Sequence, residues 1–215
     1  MVHKSDMHCR AYRPFFDIAM PLPVLYNWVA PTPHAHGITL RAQILGPHAH
    51  LDQRPITFFF KGSKTESGIR HELALLHDPS NGIVCVDSHT GVDSHKYDYG
   101  KSIEKARFCA TPSGAGLDSY RMAEVMQMAC VPVLIANGYV PPFASLLDWS
   151  KFSLAVDNEK VSTIPAILAT IDERKKLRMT QHVAFVFDQF LSSKQRIAAT
   201  MLASVQRNVK RACAA

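Results

Sequence analysis

The stretch ARFCATPSGAGLDSYRMAEVMQMACVPVLIA, residues 106–136, decides how the chain folds. Phe108, Cys109 and Ala110 form a short apolar run, the mark of a strand. Thr111 to Asp118 is rich in Pro, Ser and Gly, the composition of a loop. Asp118 and Ser119 are both good N-cap residues. Tyr120, Ala123, Met126 and Met128 follow at roughly helical spacing, so a helix is expected with those four facing inward. Val131 to Ala136 is continuously apolar, as in a strand buried on both faces. Together these make one βαβ unit. Its loop lies where open α/β sheets bind ligands, beyond the carboxyl ends of the strands.

The residue types in that unit suit an anion. A helix start offers unpaired N–H groups and about half a positive charge, a natural seat for phosphate. Gly114 and Gly116 let the backbone approach closely, and Ser113 and Ser119 flank them. Arg121 stands in the first turn, where a cation opposes the helix dipole unless it faces an anion; guanidinium matches phosphate oxygens two at a time. Glu124, three residues on, shares a face with Arg121, and its carboxylate is suited to hold a ribose diol. From spacing alone, a surface Arg121–Glu124 pair worth only ~0.3–0.5 kcal/mol stands as the competing account.

Outward from this unit the alternation continues. Ile56–Phe60 reads as a buried strand with Lys61, Gly62 and Ser63 as its exit loop, and Glu66–His77 as a helix with Ile69, Leu73 and Leu76 on one face. Gly82–Val86 is a second strand, Tyr97–Lys105 a short helix, and Arg107–Ala110 the third strand. Beyond the unit, Asn137-Gly138 signals a turn and Pro141-Pro142 a helix start near Phe143. Phe152–Val156 is a fifth strand, Val161–Ile171 a helix, and Asp172–Asn208 one or two long helices. In the latter, Leu177, Val183, Phe187, Phe190 and Leu191 are placed to pack back on the sheet. Strands alternating with helices, apolar throughout, mean an α/β doubly wound parallel sheet, Rossmann-like, with C-terminal helices. Residues 1–55 divide from this body, 56–215, as an extended Pro/His-rich leading segment with one short strand at Ile38–Ile44.

Composition narrows the function. The 215 residues suffice for one domain with a full core. Hydrophobic content of 47% against 20% charged is that of a globular chain. A net charge of +6 and pI of about 9.1 favour anionic partners. The cations are scattered, however, with only Lys175–Lys176 and Lys210–Arg211 clustered, so nucleic acid is not expected as a partner. No apolar stretch reaches ~18 residues, and no signal peptide is visible.

Cys9, Cys85, Cys109, Cys130 and Cys213 form no CxxC pair. Buried free thiols are the default for the core pair Cys109 and Cys130, with a disulfide left open. The pairs His34–His36 and His48–His50 lack the carboxylate or thiol framework of a metal site, so no metal is assigned. A metal-dependent hydrolase resting on them is the weakest functional option. Asp87-Ser88-His89 and Asp93-Ser94-His95 read as polar loops and not as triads, which need neighbours in space. Trp149 reads as a packing anchor rather than a sugar platform. Absence of G-x-G-x-x-G argues against a dinucleotide.

The run FCATPSGAGLDSYRMAEVMQMACVPVLIANGYVPPFASLLDWSKFSLAV, residues 108–156, resembles the exostosin family, glycosyltransferase family 47. Its marks are Phe108, Cys109, Pro112 and Gly114, then Ser119, Tyr120, Arg121 and Glu124, then Ala129, Cys130, Pro132 and Val133. Asn137, Gly138, Pro142, Phe143 and Trp149 complete the set. Upstream, Arg13, Pro14, Phe16, Asp17 and Pro21 resemble one family segment, and Phe60, Lys61, Gly62, Ile69 and Arg70 another.

The resemblance implies the nucleotide-sugar-binding, C-terminal half of a two-lobed GT-B glycosyltransferase. The donor, a UDP-linked sugar, would sit on Lys61, Gly62, Arg70, Ser113, Gly114, Ser119, Arg121 and Glu124. It further implies inverting transfer to a glycan acceptor, no required metal cofactor, a Golgi location, and a second glycosyltransferase subunit as a candidate partner. The catalytic base is not identified. The alternative is a non-catalytic nucleotide-sugar-binding or partner subunit that lacks the other half.

Overall fold

The computed structural model describes residues 12–13, 16–22, 33–46, 54–63, 68–89, 93–114 and 116–213, with the side chains of 33–38 left out. The Cys9 thiol and the His34, His36, His48 and His50 side chains therefore lie outside the described residues.

Five strands form one parallel sheet. They are β1 (Ile56–Gly62), β2 (Ile83–Asp87), β3 (Ala106–Pro112), β4 (Val131–Ile135) and β5 (Leu154–Ala155), in the spatial order β2-β1-β3-β4-β5. Helix α2 (Gly68–Leu75) links β1 to β2, α3 (Tyr99–Glu104) links β2 to β3, and α4 (Arg121–Gln127) links β3 to β4. The chain moves one way from β1 to β2 and the other way thereafter. Right-handed crossovers then place α2 on one face and α3 and α4 on the other. The direction reverses between β1 and β3, the switch point where such sheets leave a crevice at their carboxyl ends.

The sheet forms because its strands are apolar on both faces. All five residues of β2 and of β4 are buried. Phe58, Phe59, Phe60, Phe108, Val131, Val133 and Ile135 lie at its centre. Each fully buried Val, Ile or Phe contributes ~1.5–3 kcal/mol, so this core dominates the fold's stability. Cys109 in β3 and Cys130, just before β4, are joined by a disulfide with Cα atoms 5.9 Å apart. This corrects the default of free thiols. Cys109 lies in β3 and Cys130 at the entry to the neighbouring β4, a relation that spacing in sequence does not reveal.

Other corrections share a tertiary cause. The segment expected as a strand at Ile38–Ile44 lies in helix α1 (Pro33–Leu45). There Leu40 and Ile44 fall one turn apart, and Arg41, only 1% exposed, faces inward to reach Asp188 Oδ1 at 2.7 Å. A buried arginine disguises the helical period. The helix expected near Phe143 is a series of turns. Phe143 takes a positive φ of 53°, its N–H donates to Ala19 O, and its ring is fully buried. Strand β5 is two residues long and not five, because Trp149–Lys151 coils as a 3-10 turn just before it.

A 3-10 segment, Asn158–Thr163, leads into α5 (Ile164–Ala169), where one helix was expected. The long C-terminal stretch divides into α6 (Glu173–Val186) and α7 (Lys194–Cys213) around a π-helical turn at Phe187–Leu191. Val183, Phe187 and Leu191 are buried as expected, while Leu177 and Phe190 are half-buried.

Candidate functional site

The carboxyl ends of β1 and β3 lie side by side, with Phe59 level with Cys109 and hence Gly62 level with Pro112. Two arginines reach this edge from the first turns of two helices. Arg121 opens α4, and its guanidinium lies 5.0 Å from the centre of the Phe60 ring and 5.2 Å from that of Tyr99. Cations over aromatic faces gain ~0.5–2 kcal/mol, and the two rings hold the flat guanidinium in place. Arg121 Nε is buried without a hydrogen bond. A Cβ placed on Gly62 would come within 2.9 Å of Arg121 Nη2 and 3.0 Å of the Phe60 ring, so glycine is what admits the arginine here.

Arg70, buried in α2, extends to the β3–α4 loop. A Cβ on Gly114 would meet Arg70 Nη2 at 3.7 Å, and Arg70 Nη1 donates to Ser63 O at 3.4 Å. Thus Gly62, Arg70, Gly114 and Arg121 converge across the switch point. Ser113 holds the loop's root by donating its N–H to Ile135 O, while Gly114 N donates to Gly116 O.

Glu124 projects from the next turn of α4, and its Oε2 accepts a 2.6 Å hydrogen bond from the Tyr99 hydroxyl. Its partner is therefore a buried-edge tyrosine and not Arg121, so the simple surface ion pair of the sequence analysis does not form. Burial pushes the Tyr99 hydroxyl well above the usual phenol range, Arg121 pulls it down and Glu124 raises it further. The phenol thus remains a proton donor throughout the neutral range.

Lys61 is placed elsewhere. Successive strand residues point to opposite sides, and Lys61 Nζ donates to Ser94 O at 2.9 Å and Tyr97 O at 2.8 Å. It secures the loop ahead of α3 and is not a solvated charge.

The expected caps of α4 also take other work. The helix begins at Arg121 after Tyr120, which makes no side-chain cap bond and is 42% exposed instead of facing inward. Ser119 Oγ accepts from Arg121 N at 3.3 Å. Asp118 Oδ1 accepts from Ser119 N at 2.7 Å and from the Tyr139 hydroxyl at 3.0 Å, pinning the loop to the exit of β4. Burial holds the Asp118 carboxyl above its ordinary range despite these bonds.

Next to this pin, a cleft of about 430 Å³ opens between the exits of β4 and β5, lined by Asn137, Tyr139, Trp149, Ser153 and Asp157 among others. Trp149 is 6% exposed, donates its indole N–H to Pro142 O and packs on Phe152, so it acts as an anchor.

The Asp-Ser-His pairs are local. Asp87 Oδ1 accepts from His89 N, and Asp93 pairs with Lys96 and lies 3.6 Å from His77. Among the described residues no group of three His, Cys, Asp or Glu side chains is placed to hold a metal ion. Tyr99 and Tyr139 are the site neighbours that sequence reasoning passed over. A tyrosine beside the good N-cap Asp98 was the only available signal for Tyr99.

A doubly wound parallel sheet with helices on both faces makes this a Rossmann-like α/β protein, a fold consistent with the glycosyltransferase family that its sequence matches. Residues 2–171 match the family model described as the Exostosin GT47 domain, and the chain belongs to that family. It is 27% identical to Exostosin-1a of Danio rerio and 26% identical to Exostosin-1 of Bos taurus, in each case over 97% of this chain and 30% of the relative. It is 33% identical, over 64% of its length and 26% of the relative, to a probable glycosyltransferase of Arabidopsis thaliana. The chain thus spans about a third of the length of the first two relatives. Among the described residues no helix is long and apolar enough to cross a membrane.

Proposed function

We propose that the chain binds a nucleotide diphosphate sugar and forms the donor half of an exostosin-type glycosyltransferase. The observation that carries this is the convergence of Arg121 and Arg70 on the glycine-lined edge between β1 and β3, with Glu124 held one turn along α4. In this assignment the diphosphate of a UDP-linked sugar lies against Gly62, Ser113, Gly114 and Ser119. Arg121 and Arg70 offset the negative charge that grows on the departing diphosphate as the glycosidic bond breaks, the electrostatic role of an oxyanion hole. Two guanidinium groups supply that charge without calling on a divalent ion. The Glu124 oxygen not bonded to Tyr99 accepts from the ribose hydroxyls.

Transfer with inversion requires a general base on the acceptor hydroxyl, and none is assigned to this chain. The acceptor is a glycan, the compartment the Golgi, and the base belongs to a facing lobe or a second glycosyltransferase subunit. Residues 56–215 act as the donor-binding body, with 1–55 leading into it. The same geometry serves a non-catalytic donor-binding subunit, and a transfer assay with purified chain separates the two.

Calorimetric titration with UDP, beside an Arg121→Ala, Glu124→Ala double variant, tests the donor site. Binding by the native chain that is lost in the variant is expected. No binding by the native chain, or equal binding by both, overturns the assignment.

A further inference from the structure

Tyr99 stands between the two charged groups to which the donor site is assigned. Its hydroxyl donates to Glu124 Oε2 at 2.6 Å, while its ring lies beneath the Arg121 guanidinium at 5.2 Å. The same ring is 6.2 Å from Phe59 in the sheet core. The segment that delivers it is fixed at three points. Lys61 Nζ ties the carbonyls of Ser94 and Tyr97, Ser102 N bonds Asp98 O, and Asp98 Oδ1 caps α3 through Lys101 N at 2.9 Å. A chain of contacts therefore runs from β1 through the 94–97 loop to Tyr99, and from there to both Arg121 and Glu124 on α4.

We infer that Tyr99 is a positioning residue for donor binding, aiming Glu124 through its hydroxyl and Arg121 through its ring. The inference rests on the donor-site assignment above. Its chemistry is separable. A carboxylate without that hydrogen bond is free to rotate about three side-chain torsions or to swing onto the adjacent guanidinium, either of which removes it from a ribose diol. With the bond made, one oxygen is occupied and the other is presented. The ring acts independently, because a flat aromatic surface holds guanidinium in plane whether or not it carries a hydroxyl. Lys61 supports the arrangement at one remove.

The test titrates UDP, uridine and inorganic pyrophosphate into the native chain and the Tyr99→Phe, Tyr99→Leu and Glu124→Gln variants. Thermal unfolding is recorded for each. Tyr99→Phe should lose about ten-fold in affinity for UDP and uridine while pyrophosphate binds as in the native chain. Tyr99→Leu should weaken all three. A Tyr99→Phe, Glu124→Ala double variant should bind UDP no more weakly than Glu124→Ala alone, since without the carboxylate the hydroxyl has nothing left to aim.

Native-like UDP affinity in Tyr99→Phe, with Glu124→Gln impaired, overturns the role of Tyr99 and leaves the donor site standing. Loss of all three ligands in Tyr99→Phe together with a lowered unfolding temperature also overturns it, as that is the signature of a merely structural tyrosine. Failure of the native chain to bind UDP removes the donor site and the inference with it.

Discussion

Helix α4 has arginines at both ends, and they are used in opposite ways. At its C-terminus the carbonyls of Gln127, Met128 and Ala129 are left without helical partners. Two buried side chains from distant segments take them up: Arg41 Nη1 donates to Gln127 O, and Arg54 donates to Met128 O at 2.7 Å and to Ala129 O at 3.0 Å. Arg54 also bonds Ala106 O at the start of β3, and burial lowers it to about 10. A cation at a helix C-terminus is favourable with the dipole. At the N-terminus Arg121 works against the dipole, bonds no carbonyl through its buried Nε, and rests on two rings. An arginine that spends its donors on the backbone is holding the fold. One kept in plane with donors to spare is ready for an anion.

The contrast is broken most forcefully at the C-terminal end. Arg54→Leu leaves three buried carbonyls without their donor and should cost about 3–5 kcal/mol, taking the lower part of the ~1–3 kcal/mol that each such group costs. That lowers the unfolding temperature by roughly 6–20 °C for a chain of this size. UDP affinity per folded molecule should be unchanged; a selective loss of affinity with native stability would reverse the two roles.

Removing the nearby disulfide, by Cys109→Ala with Cys130→Ala, opens a loop set by a separation of 21 residues. The expected cost is about 3 kcal/mol, again without a specific effect on donor binding. Denaturant unfolding of the two forms measures it.

At the other end the effects should appear in binding. Gly62→Ala drives a methyl group to 2.9 Å from Arg121 Nη2, and the side chain must move off its aromatic seat. A loss of about thirty-fold in UDP affinity is expected, on the order of 2 kcal/mol, with some loss of stability because the methyl also meets the buried Phe60 ring. Arg121→Lys keeps the charge and loses the fork and the stacking, for about ten-fold. Isothermal titration distinguishes these from native, and equal loss in unfolding free energy would move Arg121 into the structural class.

The smallest effect concerns Asp118. Burial raises its carboxyl, so the folded state holds the proton more tightly than the unfolded state does. Its contribution to stability is present below the ordinary carboxylate range and is lost as pH rises through the raised value. Asp118→Asn should therefore gain on the native chain between about pH 3 and pH 6, a range bracketing the ordinary value. Unfolding curves at the two pH values check it; a difference that is constant or runs the other way removes the burial argument.

Much of this was legible in the chain. Apolar strand runs and the Pro/Ser/Gly loop located all five strands to within two residues at each end, and the first four best, because strands buried on both faces announce themselves in composition. Arg121, Glu124, Gly62, Arg70, Ser113, Gly114 and Ser119 were marked beforehand, and the fold carries them to one edge. The sequence gave no sign that Lys61 would tie the carbonyls of Ser94 and Tyr97, since it cannot show which way a side chain leaves a strand end. It also gave no sign that Tyr99 would hold Glu124, for 25 residues lie between them.

Residues 106–136 by themselves determined the βαβ unit, its loop chemistry and, with the flanking motifs, the family. These are local matters of period, turn residues and charge, which neighbours in sequence impose on one another. Only the tertiary structure decided that Arg41 and Arg54 close the base of α4, that Cys109 meets Cys130, that Ile38–Ile44 coils, and that Tyr99 stands between Arg121 and Glu124. Each of those depends on a partner brought in by the sheet's crossovers, and burial then sets what each polar group must do.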